Sequence, residues 1–288
     1  MEAITVASSL ALLSLVLPPV SIVSSAAVAL VTLRRGGYEG LYVLLASYVL
    51  AAILGLVIFG SFQFALLYGP LIWLIAMILR EVKQLSIAVE ITVLFGVAGI
   101  VIFFILVSDP AAMWGSILTQ MTLPVLENSD VDLPVEKIKQ NIQFFSHFMT
   151  GGVAAGSVYG LLFGLFLARW WQSVLYNPGG FREEYLSLKV RPKLAVASIV
   201  IAAIAWLMTG VLSEICWNIT ILFVVLYTIV GTAILHIAFS TMKTRFFMVP
   251  FLYLTLVFVP HMTIVVVIVG IIDTWLDLRS KILNKTKT

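Results

Sequence analysis

The chain has 288 residues, of which 61% are hydrophobic and 11% are charged, and its formal net charge is +3. Soluble domains are about half apolar and about a quarter charged, so this composition excludes an ordinary water-soluble globular protein. The positive charge lies in loops, which predicts contact with anionic membrane lipids and no binding of nucleic acid.

Apolar runs long enough for membrane helices recur along the chain. They lie near residues 4–33, 41–60, 62–79, 86–107, 150–168, 194–212, 217–238 and 246–272. The runs are continuously apolar rather than alternating with a period of two, which favours helices over strands. Since crossing a bilayer takes about 20 apolar residues, the predicted fold is an all-α polytopic transmembrane bundle of about eight membrane segments. Residues 1–288 then form a single integral membrane domain.

Proline interrupts the first and the last of these runs. Pro18-Pro19 divides the first run and Pro260 divides the last. Proline lacks a backbone donor and clashes with the preceding turn, so both end segments are predicted to be broken. The last run either crosses the membrane once or forms two half-helices that return the C-terminal tail to the cytoplasm. Broken helices are tolerated at membrane depth where protein or a cavity satisfies the freed backbone.

The distribution of Lys and Arg sets the predicted orientation. Most of the 17 basic residues lie in alternate loops, and several fall in the segment 169–193, here called the elbow. Positively charged loops stay cytoplasmic, so the elbow is predicted to be a cytoplasmic loop and the acidic segment 108–149 to lie outside. The apolar spacing of residues 111–123 and 135–148 predicts two amphipathic helices in that outer segment. They act either as a connector or as a lid over a substrate.

Glycine recurs every fourth residue in one apolar run, at Gly152, Gly156, Gly160 and Gly164. On a helix this spacing lines one face with almost no side chain. Small residues at this spacing mark close helix contacts in lipid, so the four glycines are predicted to form a packing face.

The elbow combines an aromatic anchor with a charged turn. Tryptophan beside arginine is typical of a helix end at the membrane surface. The elbow is either a plain lipid-facing connector or a docking surface for a partner. The candidate docking residues are Arg169, Trp170, Trp171, Arg182, Glu183 and Glu184.

A few polar residues lie in or near the apolar runs, where burial in lipid is unfavourable unless they face a cavity or the bundle interior. The candidate ligand contacts are Gln63, Tyr68, Glu214, Asn218 and His261. Neither a His-Glu-x-x-His zinc motif nor a Gly-x-Ser-x-Gly nucleophile motif is present. The single cysteine, Cys216, excludes an intramolecular disulfide and a cysteine-based metal cage. The sequence therefore predicts no enzyme, no cofactor and no metal.

Two motifs stand out from the hydrophobic layout. The first is Leu33-Arg34-Arg35-Gly36-Gly37, after an apolar segment that opens with Leu17-Pro18-Pro19. The second runs from Ala168 to Gln172 and continues from Leu175 to Glu184. In these motifs, and in hydrophobic layout over nearly the whole length, the chain resembles the YybS-like family, bacterial membrane proteins of unknown function.

That family is distantly similar to the substrate-binding membrane subunits of energy-coupling-factor (ECF) vitamin transporters. The resemblance implies a multi-pass protein of the bacterial inner membrane that holds a small molecule in a helical bundle and docks a partner coupled to ATPases. No ligand motif of a vitamin-specific subgroup is present, so no binding residue is carried over.

These observations lead to one functional hypothesis and two alternatives. The first is an integral inner-membrane protein that binds a small or lipid-like ligand as the substrate-binding component of a transport system. The second is a non-transporting scaffold that docks a membrane or cytoplasmic protein through the elbow. The third, which the missing catalytic motifs disfavour, is an intramembrane enzyme that acts on a lipid.

Overall fold

The computed structural model describes residues 5–7, 9–10, 13, 20–59, 69–127, 135–242 and 244–285. These residues form helices and short connections, with no strand among them. The helices are α1 (Val20–Arg35), α2 (Gly37–Phe59), α3 (Gly69–Val82), α4 (Leu85–Leu106), α5 (Pro110–Glu127), α6 (Val135–Ser146), α7 (Met149–Tyr176), α8 (Gly180–Leu186), α9 (Pro192–Leu207), α10 (Gly210–Ser240), α11 (Arg245–Phe258), α12 (Met262–Leu276) and α13 (Leu278–Lys285).

Three of these helices are long and apolar enough to cross a membrane: α4 with 22 residues, α7 with 28 and α10 with 31. At 1.5 Å per residue, each exceeds the roughly 30 Å of the hydrocarbon core. The part of the chain that the structure describes is therefore all-helical, with several apolar helices that fit a membrane protein. Helices α11 and α12 pass the same test only when they are taken together, which makes up to four spans. The described part of the chain does not confirm the predicted eight segments.

The last apolar run contains a sharp break. Helix α11 ends at Phe258, helix α12 begins at Met262, and the two are bent by 118°. Pro260 lies between them, where its ring and its missing donor disfavour a continuous helix. The corresponding prediction for the first run, at Pro18-Pro19, falls outside the described residues.

The segment 108–149 contains the two helices that its spacing predicts, α5 and α6. One boundary differs from the sequence-based expectation. The apolar runs 194–212 and 217–238 leave 213–216 between them as the connection, but these residues are helical and the chain turns at 208–209. Gly210 begins helix α10 with a φ of 72°, a conformation that glycine adopts without steric penalty. The turn therefore precedes the position that hydropathy alone indicated.

The chain forms two compact units. One comprises residues 1–92, 157–190 and 227–288, and the other comprises 93–156 and 191–226. In the first unit, α3 buries Ile72, Ile75 and Leu79. Arg80 of α3 donates hydrogen bonds to the carbonyls of Thr32 and Leu33 at 3.2 and 3.0 Å, which satisfies acceptors at the C-terminal end of α1.

Helices α10 and α12 cross at close range in this first unit. A methyl group added at Gly231 would lie 2.1 Å from the carbonyl oxygen of Val266, and one at Gly270 would lie 2.6 Å from that of Tyr227. Only glycine permits this approach, because any side chain would force the two backbones apart. The returning helix α12 is thereby held directly against α10.

Candidate ligand-binding cavity

A cavity of about 850 Å³ lies within the first unit, between α7, the elbow helix α8, α10 and α11. Its volume falls in the range of about 300–1,000 Å³ that is typical of small-molecule sites. Aromatic side chains form much of its wall. They are Tyr159, Phe163, Phe166, Phe181, Tyr185 and Tyr253.

Helix α10 supplies a stripe of polar side chains to this cavity. Thr228, Thr232, His236 and Ser240 all line it, and they recur every fourth residue. This spacing places them on one face of the helix, and from the first to the last it extends about 18 Å along the axis. A mostly apolar cavity with one line of polar groups can orient a ligand as well as bury it.

The best-connected polar group is the hydroxyl of Tyr185. Its oxygen lies 2.9 Å from Thr232 Oγ1, and it shares a second hydrogen bond with Tyr253. Burial is the main cause that raises the pKa of Tyr185 above its ordinary value, so the phenol stays neutral and can donate a hydrogen bond. This hydroxyl thus joins α8, α10 and α11 at the cavity wall.

His236 stands between two tyrosine rings. Its ring centroid lies 5.9 Å from that of Tyr185 and 5.7 Å from that of Tyr253. Its Nδ1 is 2.7 Å from the carbonyl oxygen of Thr232. A carbonyl only accepts hydrogen bonds, so Nδ1 carries the proton, and in the neutral ring Nε2 is an acceptor.

The cavity reaches the apolar surface of the helices. Phe163, at the middle of α7, is 54% exposed although it lines the cavity, and Val257 of α11 is 72% exposed. Exposed apolar residues at mid-span of a membrane helix face lipid rather than water. The cavity therefore opens onto exposed apolar side chains along this side.

The C-terminal residues hold the elbow in place against this cavity. Arg279 is only 5% exposed, and its Nε donates to Asp273 Oδ2 at 3.1 Å. Its terminal nitrogens donate to the carbonyls of Leu186 and Leu188. These bonds fix the end of helix α8 one residue after Tyr185. A buried arginine is well suited to this role because its planar donors reach several acceptors at once.

A second contact reinforces the same junction at the surface. Lys189 donates to Asp277 Oδ1 at 2.7 Å, and its backbone N–H donates to Ser86 Oγ at 3.2 Å. The hydrogen bond from Lys189 is the main cause that lowers the pKa of Asp277. Both side chains are about half exposed, so the pair is screened by water.

The predicted ligand contacts fall elsewhere. Glu214 lines a separate cavity of about 520 Å³ in the second unit, where its Oε1 lies 3.4 Å from His147 Nδ1. Asn218 is fully buried. Its Nδ2 donates to the His147 carbonyl at 2.8 Å, and its Oδ1 accepts from the Gly151 N–H at 2.5 Å, so its role is structural. His261 is exposed at the break after α11. Gln63 and Tyr68 lie outside the described residues.

The predicted docking residues divide into two groups. Arg169 and Glu184 form an ion pair with each other, which ties the end of α7 to α8. Trp170 is 50% exposed and Glu183 is exposed, so both are available at the surface of the elbow. Arg182 is exposed and also lines the cavity. Trp171 is half-buried.

The predicted glycine face is not uniform. A methyl group at Gly164 would lie 2.8 Å from Ser25 Oγ, so this glycine makes a close contact with α1. Gly160 is buried. Methyl groups at Gly152 and Gly156 would meet nothing within 4 Å among the described residues.

Sequence reasoning missed the stripe on α10. The candidate contacts chosen from the sequence include none of Thr228, Thr232, His236 and Ser240. The signal was present, because four polar residues spaced by four in an apolar run share one helix face. Tyr185 had no comparable signal, since only the folding of the elbow brings it to this wall.

No protein-family profile, curated protein or solved structure matches this chain. The resemblance to the YybS-like family, and through it to the ECF subunits, therefore stays a prediction that rests on the two motifs.

Proposed function

We propose that this protein binds a small, largely apolar or lipid-like ligand in the aromatic cavity and serves as the substrate-binding component of a transport system. The observation that supports this proposal is the cavity of about 850 Å³ with the polar stripe of α10 along an otherwise apolar wall. Such a combination matches the usual make-up of small-ligand sites. No reaction is assigned to it.

The exposure of Phe163 and Val257 favours a ligand that comes from the bilayer. A water-soluble ligand would have to cross the exposed apolar rim, whereas a membrane-dissolved one is already on that side. The proposed location is the bacterial inner membrane, in keeping with the YybS-like resemblance, and the cytoplasmic side is assigned to the elbow by its basic residues.

The full topology belongs to the same proposal: about eight membrane segments, as the apolar runs require by length. Helices α11 and α12 are proposed as a re-entrant pair whose two ends both lie on the cytoplasmic side. The contacts of Arg279 and Lys189 support this arrangement, because they join the C-terminal residues to the elbow. A single straight crossing would carry Arg279 to the opposite membrane surface.

The proposal is tested by identifying what the purified protein retains. Wild type, Val249→Trp and Val265→Trp are purified in mild detergent, and their extracts are analysed by mass spectrometry. Val249 lines the cavity, so tryptophan fills it. Val265 is 54% exposed on α12 and receives the same substitution away from the cavity. Leu256→Trp, on another part of the same wall, replaces Val249→Trp if that variant does not fold.

We expect one class of molecule to be retained by wild type and by Val265→Trp and to be lost from Val249→Trp. Co-purification of a membrane partner with an ATPase pair would support the transport role in addition. An identical set of bound molecules in all three proteins would contradict a ligand-binding cavity.

A scaffold function is the second candidate, and the exposure of Trp170 and Glu183 favours it. Neither residue belongs to the Arg169–Glu184 pair or to the cavity wall. If the scaffold function is correct, Trp170→Ala with Glu183→Ala abolishes capture of a stoichiometric protein partner, while Val249→Trp leaves that capture intact. The opposite pattern supports the ligand-binding function.

A further inference from the structure

We infer that the ligand is a single-chain amphiphile with an anionic headgroup, which lies beside Arg182 and His236 while its tail occupies the aromatic part of the cavity. This inference rests on the proposed ligand-binding function and adds the chemical class of the ligand and its direction in the site.

The described residues that line the cavity carry one full positive charge and no negative charge. Arg182 is the one fully charged side chain among the described residues that line the cavity, and no carboxylate lines it. Arg182 also makes no ion pair within the described part of the chain. An unpaired guanidinium at the rim of a low-dielectric cavity favours a phosphate or carboxylate, which it can bind through two parallel hydrogen bonds.

The neighbouring acids do not cancel this preference. Of the two, Glu184 is engaged by Arg169 through two hydrogen bonds, and Glu183 forms no ion pair with Arg182 among the described residues. The positive charge of Arg182 therefore remains available to a ligand.

The direction of the site follows from the order of residues along α10. Ser240 and His236 lie at the C-terminal end of this helix, close in sequence to the basic segment that leads into α11. Thr228 lies about 18 Å from Ser240 along the helix axis, at 1.5 Å per residue. The hydroxyl of Thr228 is hydrogen-bonded to Tyr159, so this deep end offers little free polar capacity.

Between these two ends the Thr232 hydroxyl is already hydrogen-bonded to Tyr185. The rest of the wall is mostly apolar, with Phe163, Ile229, Leu256 and Val257. A charged headgroup is stable only at the end where cations and water are near, because burying an unpaired charge is strongly unfavourable. Arg182 lies about one turn before Tyr185 on α8, and the Tyr185 ring packs against His236, so Arg182 belongs to the His236 end of the cavity. The headgroup thus lies at this end, and the tail extends toward the bilayer centre.

The volume argues for one chain rather than two. About 850 Å³ suits a drug-sized or single-chain molecule. The exposed sides of Phe163 and Val257 let part of a tail remain in contact with surrounding lipid.

The test measures binding of four radiolabelled probes that share one tail: dodecyl phosphate, dodecanoate, dodecyltrimethylammonium and dodecanol. The full-length protein is held in phosphatidylcholine nanodiscs, and Val249→Trp nanodiscs measure partition into lipid, which is subtracted. The variants are Arg182→Gln and, as the matched control, Lys193→Gln, which removes one positive charge from the same elbow without touching the cavity.

We expect at least one of the two anionic probes to bind wild type about tenfold more tightly than dodecanol, the effect of one charge-assisted hydrogen-bonded contact. Arg182→Gln should remove this preference, and Lys193→Gln should change it less than twofold. The phosphate and carboxylate probes, compared with each other, identify which anion is preferred.

Two other outcomes would contradict the inference. The first leaves the proposed ligand-binding function unaffected, and the second counts against it. Equal binding of all four probes above the Val249→Trp background, or tightest binding of dodecyltrimethylammonium, refutes the anionic headgroup and leaves the ligand-binding function intact. No binding of any probe above that background refutes the inference and counts against the proposed function as well.

Discussion

The buried ion pair between Arg279 and Asp273 is the contact whose loss should weaken the fold most. We consider Arg279→Met, which keeps a long apolar stem and removes all the donors. The two side chains are 6% and 1% exposed, so water does not replace the lost bonds. The change leaves the Asp273 carboxylate buried without its arginine and removes the donors to the Leu186 and Leu188 carbonyls.

The expected loss in the free energy of unfolding is about 3–5 kcal/mol, the usual effect of removing one partner of a buried pair. Asp273 Oδ1 already lacks a hydrogen-bond partner within the described part of the chain, so little else compensates the charge. The exposed pair offers a direct comparison. Lys189→Met breaks the exposed Lys189–Asp277 pair, which water screens, so it should cost much less than Arg279→Met.

The assay is unfolding in mixed micelles with increasing sodium dodecyl sulfate, followed by circular dichroism for wild type and each variant. The double variant Asp273→Leu with Arg279→Met is the decisive control. Because it leaves no charge buried, it should be more stable than Arg279→Met alone. If the double variant is as unstable as the single one, or if Lys189→Met is as damaging as Arg279→Met, then burial of an unpaired charge is not the cause.

Three further predictions concern packing, a buried amide and acid stability. Gly231→Ala should prevent correct folding, because its methyl group would overlap the facing backbone of α12. Gly156→Ala, where a methyl group meets nothing among the described residues, should be neutral or stabilise the protein by up to about 1 kcal/mol. Expression and thermal melting of both variants check this, and equal melting temperatures would contradict the close crossing of α10 and α12. Asn218→Ala should lower the free energy of unfolding by about 1–3 kcal/mol, since two buried backbone groups lose their hydrogen-bond partner. Ligand binding in the cavity should not change. A loss of ligand without a loss of stability would instead show that Asn218 contacts the ligand. The pKa of Asp277 is lowered in the folded state, so its pair with Lys189 stabilises the protein above about pH 4, and this contribution is lost as the pH falls through the folded pKa. Lys189→Met should therefore reduce the dependence of the melting temperature on acid pH. An unchanged pH dependence would show that this pair is not its cause.

Part of the candidate site was predictable from local pattern alone. The polar stripe of α10 recurs every fourth residue, and four-residue spacing places side chains on one face whatever the helix packs against. Two helices were likewise predicted in the 108–149 segment, and α5 and α6 lie there. Glu214 and Asn218 show the limit of the same reasoning. Both are polar residues in an apolar helix, yet one lines a different cavity and the other is bonded to backbone.

Composition and hydropathy by themselves determined that this is a helical membrane protein, because backbone groups in a bilayer must be satisfied within each segment and the apolar runs have the required length. The tertiary structure decided where the cavity lies, since its wall brings together α7, α8, α10 and α11 from positions far apart in the chain. It also decided that Arg279 closes onto the carbonyls of Leu186 and Leu188. No spacing rule relates residues more than 90 positions apart, because their meeting depends on how the helices between them fold back on one another.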